Sequence, residues 1–337
     1  MTPVQTSYRP AYRLEVHASS AQLADSLVRD VRAGLAAEPR TISPKYFYDP
    51  HGCELFEAIT DLPEYYQTRT ELTILETVAA DLVRRHEPTE LVELGSGSSR
   101  KTAALLDPMA AQGLLQRYVP FDIAPTALLG AASRVADRYP GVDVHAVAGD
   151  FLSHLDRIPG PEGTRLVMFL GGTIGNLHPP ERSIFLEGVR ALLEADDILL
   201  IGTDLTGDIV RTEAAYNDSA GVTAAFNQNV LRVLNRELAA DFDLTAFEHV
   251  AFFDHDEEWI EMRLRAVRDQ VVNLGRADLT LTLRQGEEIR TEISCKFTRS
   301  RVAAMYPDAG LELVEWHTDP EERFAVSVAR VRGADQA

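Results

Sequence analysis

The hydrophobic pattern of residues 90–206 alternates between two kinds of segment. Short apolar runs are separated by longer segments in which apolar residues recur at helical spacing. Nearly all-apolar strands are typical of a sheet covered on both faces, and alternation with helices indicates parallel strands. The pattern predicts a doubly wound α/β sheet with strands at 91–94, 118–121, 142–147, 166–170 and 198–201, and helices at 101–106, 125–139 and 180–193.

The pattern changes after residue 206, where a long insertion begins. Residues 221–238 carry apolar positions at helical spacing, and four later segments are strand-like: 247–253, 259–267, 279–283 and 289–293. The end of the chain predicts a helix at 299–309 and an antiparallel pair of strands at 311–316 and 324–331. We expect the insertion and the N-terminal segment to form a second α+β domain over the strand ends.

A glycine turn follows the first predicted strand. Gly95 and Gly97 permit a close approach of backbone to a ligand, and Arg100 stands where the third glycine of a dinucleotide fingerprint would be. Glu93, at the end of this strand, suits a positively charged or hydroxyl-rich ligand better than a pyrophosphate. A Gly-x-Gly sequence alone is weak evidence, because many tight turns have it.

Polar residues end the other strands of the predicted sheet, where α/β proteins bind their ligands. Asp122 follows the second strand, where a carboxylate can accept two ribose hydroxyls, and Asp150 follows the third, where it can accept an adenine amino group. Each could equally be a turn or helix-cap residue. Together with the glycine turn, the two carboxylates favour a nucleoside without a phosphate. Asn176 and Asp204 end the fourth and fifth strands.

Five sequence motifs give this chain a resemblance to a known protein family. They span residues 62–71, 93–97, 169–176, 221–227 and 291–297. The chain resembles the class I S-adenosylmethionine-dependent methyltransferases, and within them the histidine-specific Nα-methyltransferases of ergothioneine biosynthesis, from about residue 23 to residue 331. The resemblance implies a Rossmann-like doubly wound sheet with a second α+β substrate-binding domain. It also implies trimethylation of the α-amino group of L-histidine to hercynine, with S-adenosyl-L-methionine as cofactor.

The resemblance also implies domain bounds and a cofactor site. The methyltransferase domain would comprise residues 69–206 and 295–335, and the substrate-binding domain residues 10–68 and 207–294. The residues expected to bind the cofactor are Gly95, Lys101, Asp122, Asp150 and Phe151. Lys101 would contact the methionine carboxylate near a helix N-terminus, which itself favours an anion. Phe151 would stack on or flank the adenine.

The substrate-binding residues follow from the same resemblance. An amine pocket would consist of Tyr48, Phe56 and Tyr65, Asn176 and Tyr216 would hold the substrate carboxylate, and Met262, Glu292 and Ser294 would surround the imidazole. Glu292 and Ser294 are two apart on a predicted strand, so both point to one face. Without the resemblance, the aromatic residues and Met262 would be read as core and Asn176 as a turn residue. The sequence reveals no general base.

Composition limits the partners and the compartment. The 337-residue chain has a formal net charge of −19, which disfavours nucleic acid and anionic membrane surfaces. Cys53 and Cys295 are its only cysteines, and no metal site or disulfide framework is expected from them. Residues 1–12 lack the apolar core of a signal peptide, and no apolar run reaches membrane-spanning length. We expect a monomeric, cytoplasmic enzyme whose partner is the small molecule L-histidine.

Three other functions stay open at this stage. A nicotinamide-dependent oxidoreductase shares the sheet and the acidic residue after the second strand, but favours a third glycine at position 100. A binding protein for amino acids or betaines could use the same pocket without turnover. A related methyltransferase could act on another amino acid, against which Met262, Glu292 and Ser294 argue by resemblance only.

Overall fold

A computed structural model describes residues 12–17, 20–97 and 101–333 of the chain. The strands are β1 (Arg13–Val16), β2 (Glu90–Leu94), β3 (Arg117–Asp122), β4 (Asp143–Ala148), β5 (Arg165–Phe169), β6 (Ile198–Asp204), β7 (Phe247–Asp254), β8 (Trp259–Ala266), β9 (Gln270–Leu274), β10 (Leu279–Leu283), β11 (Glu288–Cys295), β12 (Leu311–Thr318) and β13 (Phe324–Val331). The α-helices are α1 (Ser20–Ala36), α2 (Pro50–Thr60), α3 (Gln67–His86), α4 (Ala103–Ala111), α5 (Pro125–Arg138), α6 (Pro179–Arg190), α7 (Ile209–Tyr216), α8 (Val222–Leu238) and α9 (Arg299–Met305).

The large sheet has eight strands in the order β1-β4-β3-β2-β5-β6-β13-β12. Strands β1 to β6 pair in parallel, and β13 is antiparallel to both β6 and β12. The strand order reverses between β2 and β5, which lie side by side although two strands separate them in the chain. The predicted doubly wound sheet and its terminal hairpin are therefore confirmed, with a cleft expected at the β2/β5 reversal.

Burial on both faces of the sheet explains why these strands could be predicted from the sequence. Every residue of β2 and β5 is buried, so both strands are mostly apolar. Val92 at the centre of β2 pairs with Val119 on one side and Val167 on the other. The hydrophobic core is divided by the sheet into two layers, one under α6 and α9 and one under α3, α4 and α5.

A second hydrophobic core lies beside the large sheet. It joins α1, α2 and α8 to a three-stranded antiparallel sheet in the order β11-β8-β7 and to the antiparallel pair β9 and β10. The predicted helix at 221–238 and the four predicted strands of the insertion are present, with ends that agree to within two residues. Asp49 caps α2 by accepting a hydrogen bond from Gly52 N at 2.8 Å, with Pro50 as the first helical residue.

Two strands were missed by sequence reasoning. β9 is a five-residue strand at the edge of the two-stranded sheet. β1 is a four-residue, largely exposed edge strand that pairs in parallel with β4. Its residues fall within the range 10–68 that the sequence-based division places in the substrate-binding domain. The outermost bounds of that division, residues 10 and 335, and Arg100 of the glycine turn lie outside the described residues.

Candidate functional site

A cavity opens beside the carboxyl end of β5. Its wall brings together segments that are far apart in sequence: the segment before α2, the start of α3, the turn after β5, the end of α7, and strands β8 and β11. All eight residues predicted to bind the substrate line it, namely Tyr48, Phe56, Tyr65, Asn176, Tyr216, Met262, Glu292 and Ser294. Their roles stay predictions, but the structure does bring them to one place.

Close packing at Gly175 positions one side of this cavity. A Cβ atom at position 175 would lie 2.9 Å from the carbonyl oxygen of Cys295 and 3.2 Å from its amide nitrogen. Glycine therefore lets the end of β11 pack directly on the turn that carries Asn176. The Asn176 amide donates to the Ile293 carbonyl at 2.7 Å, which ties this turn to β11.

A buried lysine organises the polar end of the cavity. The Lys296 ammonium lies 2.8 Å from Asp204 Oδ2, and it donates to Ser294 Oγ at 2.9 Å and to the Tyr216 hydroxyl at 3.1 Å. The Tyr216 hydroxyl in turn donates to Ser294 Oγ at 2.7 Å. Ser294 Oγ thus accepts two hydrogen bonds, which fills both of its lone pairs and leaves its own proton to donate.

Glu292 supplies a carboxyl group to the cavity wall. Burial raises the pKa of its carboxyl to about 7, while the nearby Lys296 charge and a hydrogen bond from Asn176 act in the opposite direction. Glu292 pairs in register with Met262 on the neighbouring strand β8, and the Met262 side chain is buried against the same cavity. The site therefore combines a carboxyl acceptor, a hydroxyl donor and a thioether surface.

Aromatic rings form the opposite wall. The ring centroids of Tyr48 and Phe56 are 5.8 Å apart, those of Phe56 and Tyr65 are 6.2 Å apart, and both pairs meet edge to face. Phe226 of α8 packs behind them, 5.9 Å from Phe56. Burial, reinforced by the negative charge of Glu292, raises the pKa of Tyr48 and Tyr65 well above the usual value. Both phenols are therefore neutral and protonated near neutral pH.

The glycine turn forms the cofactor edge of the site. Gly95 adopts φ +68°, a backbone conformation that side chains with a Cβ rarely take. Asp122 holds this turn, because its Oδ2 accepts from Gly97 N at 2.8 Å and its Oδ1 accepts from Ala124 N at 2.9 Å. Burial raises the pKa of Asp122, and these backbone hydrogen bonds act against that rise.

Lys101 makes an ion pair that the sequence did not reveal. Its ammonium contacts the carboxylate of Glu71, a fully buried residue of α3, and that carboxylate also accepts from Gly171 N at 2.9 Å. The contact links the helix after the glycine turn to the end of β5. Glu71 belongs to the motif at 62–71, but a charge in a helical segment usually indicates a solvated face, so nothing marked it as a partner of Lys101.

Asp150 and Phe151 follow β4 as predicted, with their own protein contacts. Asp150 Oδ1 accepts from Leu152 N at 2.9 Å, and its Oδ2 lies 3.2 Å from the ammonium of Lys45. The half-buried Phe151 ring meets Phe169 edge to face, 5.4 Å away between centroids. Lys45 precedes the aromatic wall, so its ion pair joins the cofactor edge to the substrate cavity.

Glu93 is held by the protein through one oxygen of its carboxyl group. This carboxyl is buried, and its Oε2 accepts hydrogen bonds from the hydroxyls of Thr102, at 2.7 Å, and Tyr118. Burial raises its pKa to about 7 against these two hydrogen bonds. Glu93 therefore ties β3 and the residue before α4 to the end of β2, and its role toward a ligand stays a prediction.

Two features are absent from the described residues. Within 12–17, 20–97 and 101–333, no helix is both long and apolar enough to cross a membrane. The same ranges contain no group of three or more His, Cys, Asp or Glu side chains arranged to hold a metal ion.

Three proteins are similar in sequence to this chain over most of its length. A histidine N-alpha-methyltransferase of Mycolicibacterium smegmatis is 52% identical over 306 residues, which cover 91% of this chain and 95% of that protein. A histidine N-alpha-methyltransferase of Mycobacterium tuberculosis is 48% identical over 90% of this chain and 94% of that protein. Ergothioneine biosynthesis protein 1 of Neurospora crassa is 30% identical over 82% of this chain, which corresponds to 32% of that longer protein.

The family model of histidine-specific, S-adenosylmethionine-dependent methyltransferases matches residues 27–331. This range contains β2 to β13 and every residue assigned above to the cavity and the cofactor edge. The chain therefore belongs to the histidine-specific, S-adenosylmethionine-dependent methyltransferase family.

Proposed function

We propose that this enzyme transfers methyl groups from S-adenosyl-L-methionine to the α-amino group of L-histidine until hercynine is formed, a reaction of ergothioneine biosynthesis. The observation that carries the proposal is one cavity in which Glu292 and Ser294 face an aromatic wall beside the cofactor edge. Family membership and the two mycobacterial relatives support the same substrate.

Histidine would be recognised by its imidazole ring. The ring of neutral histidine carries one N–H and one bare nitrogen. Glu292 would accept the N–H, and Ser294, which accepts from Lys296, would donate to the bare nitrogen. Met262 would pack on the ring face. An apolar side chain would offer the buried Glu292 carboxyl no N–H donor, which disfavours it.

The substrate carboxylate would be held by Asn176 and Tyr216, as the resemblance implies. Both residues line the cavity. Asn176 would turn toward the carboxylate the N–H that contacts Glu292, while its other N–H continues to donate to Ile293. The Tyr216 hydroxyl would reach a carboxylate by turning its proton away from Ser294, which Lys296 would continue to contact.

The cofactor would lie along the glycine turn. Gly95 and Asp122 fit a nucleoside, because the turn admits close approach and each Asp122 oxygen retains a further acceptor site beyond its backbone hydrogen bond. Lys101, Asp150 and Phe151 would contact the methionine and adenine ends. The bound cofactor supplies an electrophilic methyl group on a sulfonium ion.

The aromatic wall suits the changing charge of the amine. Each transfer forms one N–C bond, breaks one S–C bond and releases one proton from the amine, so three transfers release three protons. The final product carries a fixed positive charge that needs no N–H acceptor. The rings of Tyr48, Phe56 and Tyr65 attract such a cation, and their neutral phenols do not repel it.

We also retain the domain division, with residues 69–206 and 295–335 binding the cofactor and residues 10–68 and 207–294 covering it, except that β1 within 10–68 belongs to the large sheet. The separate hydrophobic core under α8 supports this division. We further propose that the enzyme is a monomer and acts in the cytoplasm. The unpaired thiols of Cys53 and Cys295 are consistent with a reducing compartment.

Mass spectrometry of a reaction with excess cofactor tests the proposed function. Histidine should gain one, two and then three methyl groups, with trimethylhistidine as the end product. A reaction that stops after one transfer would contradict the amine pocket. Histidine binding without any turnover would favour an amino-acid-binding protein, and stabilisation by a nicotinamide cofactor in scanning fluorimetry would favour an oxidoreductase.

A further inference from the structure

Gln67 is a cavity residue to which neither the sequence motifs nor the resemblance assigned a role. It is the first residue of α3, its side chain is 2% exposed, and it lies in the cavity wall beside Tyr65. Its Nε2 donates to Asp204 Oδ2 at 3.3 Å. Its Oε1 is buried and has no hydrogen-bond donor among the described residues.

The orientation of the Gln67 amide follows from its neighbour. Asp204 Oδ2 lies 2.8 Å from the Lys296 ammonium, and Asp204 Oδ1 accepts from the Tyr66 hydroxyl at 2.8 Å. A carboxylate paired with a lysine only accepts hydrogen bonds, so the NH₂ group of Gln67 must face Asp204. Turning the amide over would bring two oxygens together. The carbonyl oxygen is therefore held as an acceptor on the cavity side.

A buried acceptor without a donor is costly to keep, and a ligand donor removes that cost. The proposed function, on which this inference rests, brings two α-amino groups to this cleft: that of the substrate and that of the methionine half of the cofactor. Both offer N–H donors of the same chemistry. We propose that Gln67 Oε1 accepts an N–H of an α-amino group at this site.

The two sources of this amine differ in one respect. The substrate amine loses its N–H donors as it is methylated, and the trimethylated product has none. If the substrate is the partner, the hydrogen bond to Gln67 holds histidine but not hercynine. The cofactor amine is unchanged by the reaction, so a bond to it would hold S-adenosylhomocysteine equally at every step.

The test is calorimetry of Gln67→Met, which keeps the length of the side chain and removes its acceptor. The matched control is Tyr66→Phe, which removes a different hydrogen bond to the same Asp204 and leaves Gln67 Oε1 intact. The titrants are L-histidine and hercynine, each with saturating S-adenosylhomocysteine, and S-adenosylhomocysteine alone. Gln67→Asn, which retains the amide but withdraws it by one methylene, is the second variant if the methionine variant does not fold.

We expect Gln67→Met to weaken histidine binding about 10-fold with hercynine binding unchanged, and Tyr66→Phe to have a smaller effect. A 10-fold loss confined to S-adenosylhomocysteine would assign the same hydrogen bond to the cofactor amine. Unchanged affinities, or an equal loss for histidine and hercynine, would overturn the proposal. Histidine turnover by the unmodified enzyme is measured alongside, and its absence would count against the proposed function instead.

Discussion

The cofactor edge and the substrate cavity are built in different ways. At the cofactor edge, Asp122 holds the turn two residues after Gly95, and the backbone amides that it binds belong to neighbouring loops. In the substrate cavity, Lys296 connects Asp204, Tyr216 and Ser294 from three separate elements. The glycine turn of the first region is held by hydrogen bonds to backbone amides, whereas the second region is held by contacts between the side chains of distant elements.

This difference has consequences for how each region responds to substitution. A turn held by backbone hydrogen bonds can lose one side chain and keep most of its shape. A buried cluster that shares one ammonium loses several contacts at once, because a charge without its partner is expensive in a protein interior. Stability should therefore depend more on the cavity, while each region should control the affinity for its own ligand.

The largest effect is expected from Lys296→Met. The variant leaves Asp204 buried without its cation and removes donors from Tyr216 and Ser294. We expect a loss of about 3–5 kcal/mol in the free energy of unfolding, measured by chemical denaturation. Asp122→Ala, the comparison variant at the cofactor edge, should lose clearly less. Equal losses would remove the distinction between the two regions.

The next largest effects should concern a different ligand in each region. Glu292→Ala should weaken histidine binding by about 1.5–3 kcal/mol and leave S-adenosylhomocysteine binding nearly unchanged. Asp122→Ala should weaken S-adenosylhomocysteine binding by about 1.5–3 kcal/mol, since it removes an acceptor for the ribose. Calorimetry of both ligands with both variants measures this.

Two outcomes would argue against these assignments. Histidine affinity that is the same in Glu292→Ala and the parent enzyme would show that other residues hold the imidazole. S-adenosylhomocysteine affinity that survives in a folded Asp122→Ala variant would place the ribose elsewhere. Glu292→Ala should also narrow the affinity gap between histidine and tryptophan, because the unpaired carboxyl that disfavours an apolar ring is gone.

A smaller effect should appear in the pH dependence of stability. The pKa of Glu292 is raised from 4.5 to about 7 in the folded protein. At low pH the carboxyl is neutral in both states. As the pH rises from about 4.5 to about 7, the unfolded chain ionises first, so the folded state progressively loses stability relative to it, and above about 7 the loss is complete. Glu292→Gln lacks this loss, so its advantage over the parent enzyme should grow from about pH 5 to about pH 8, on the order of 1 kcal/mol.

Thermal unfolding across this pH range measures that advantage. Glu93 provides the comparison at the cofactor edge, since its pKa is also about 7. The advantage of Glu93→Gln should grow with pH in the same way, because the pKa of Glu93 is raised to the same value. An advantage of Glu292→Gln that is constant with pH would contradict the raised pKa.

The smallest effect is expected from Lys45→Met. Lys45 pairs with Asp30 at 2.8 Å and with Asp150 at 3.2 Å, and about a quarter of its side chain is exposed. Because water screens such pairs, we expect a loss of about 0.5–1 kcal/mol in S-adenosylhomocysteine affinity by calorimetry. Lys45→Arg, which retains the charge, serves as the control. A loss above 2 kcal/mol would mean that this pair couples the two regions strongly.

The sequence by itself determined the sheet, the glycine turn and the polar residues at the strand ends. Burial on both faces makes β2 and β5 almost wholly apolar, so their pattern is visible in a few consecutive residues. The alternation with helices then fixes parallel pairing, and that in turn places Gly95 and Asp122 at one edge. The eight substrate-binding residues needed the resemblance as well, since Met262 and Tyr216 alone are indistinguishable from core residues.

Only the tertiary structure decided which polar groups are satisfied within the protein and which remain available to a ligand. Glu93 lies where a ligand-binding carboxylate would be expected, yet one of its oxygens accepts from both Thr102 and Tyr118. Lys101 pairs with Glu71, which is 30 residues away in the sequence, and Gln67 donates a hydrogen bond to Asp204, which is 137 residues away. The spacing of hydrophobic residues along a helix or strand indicates which of its faces is buried. The partner of a buried polar group depends on how the elements pack, and local sequence carries no record of that.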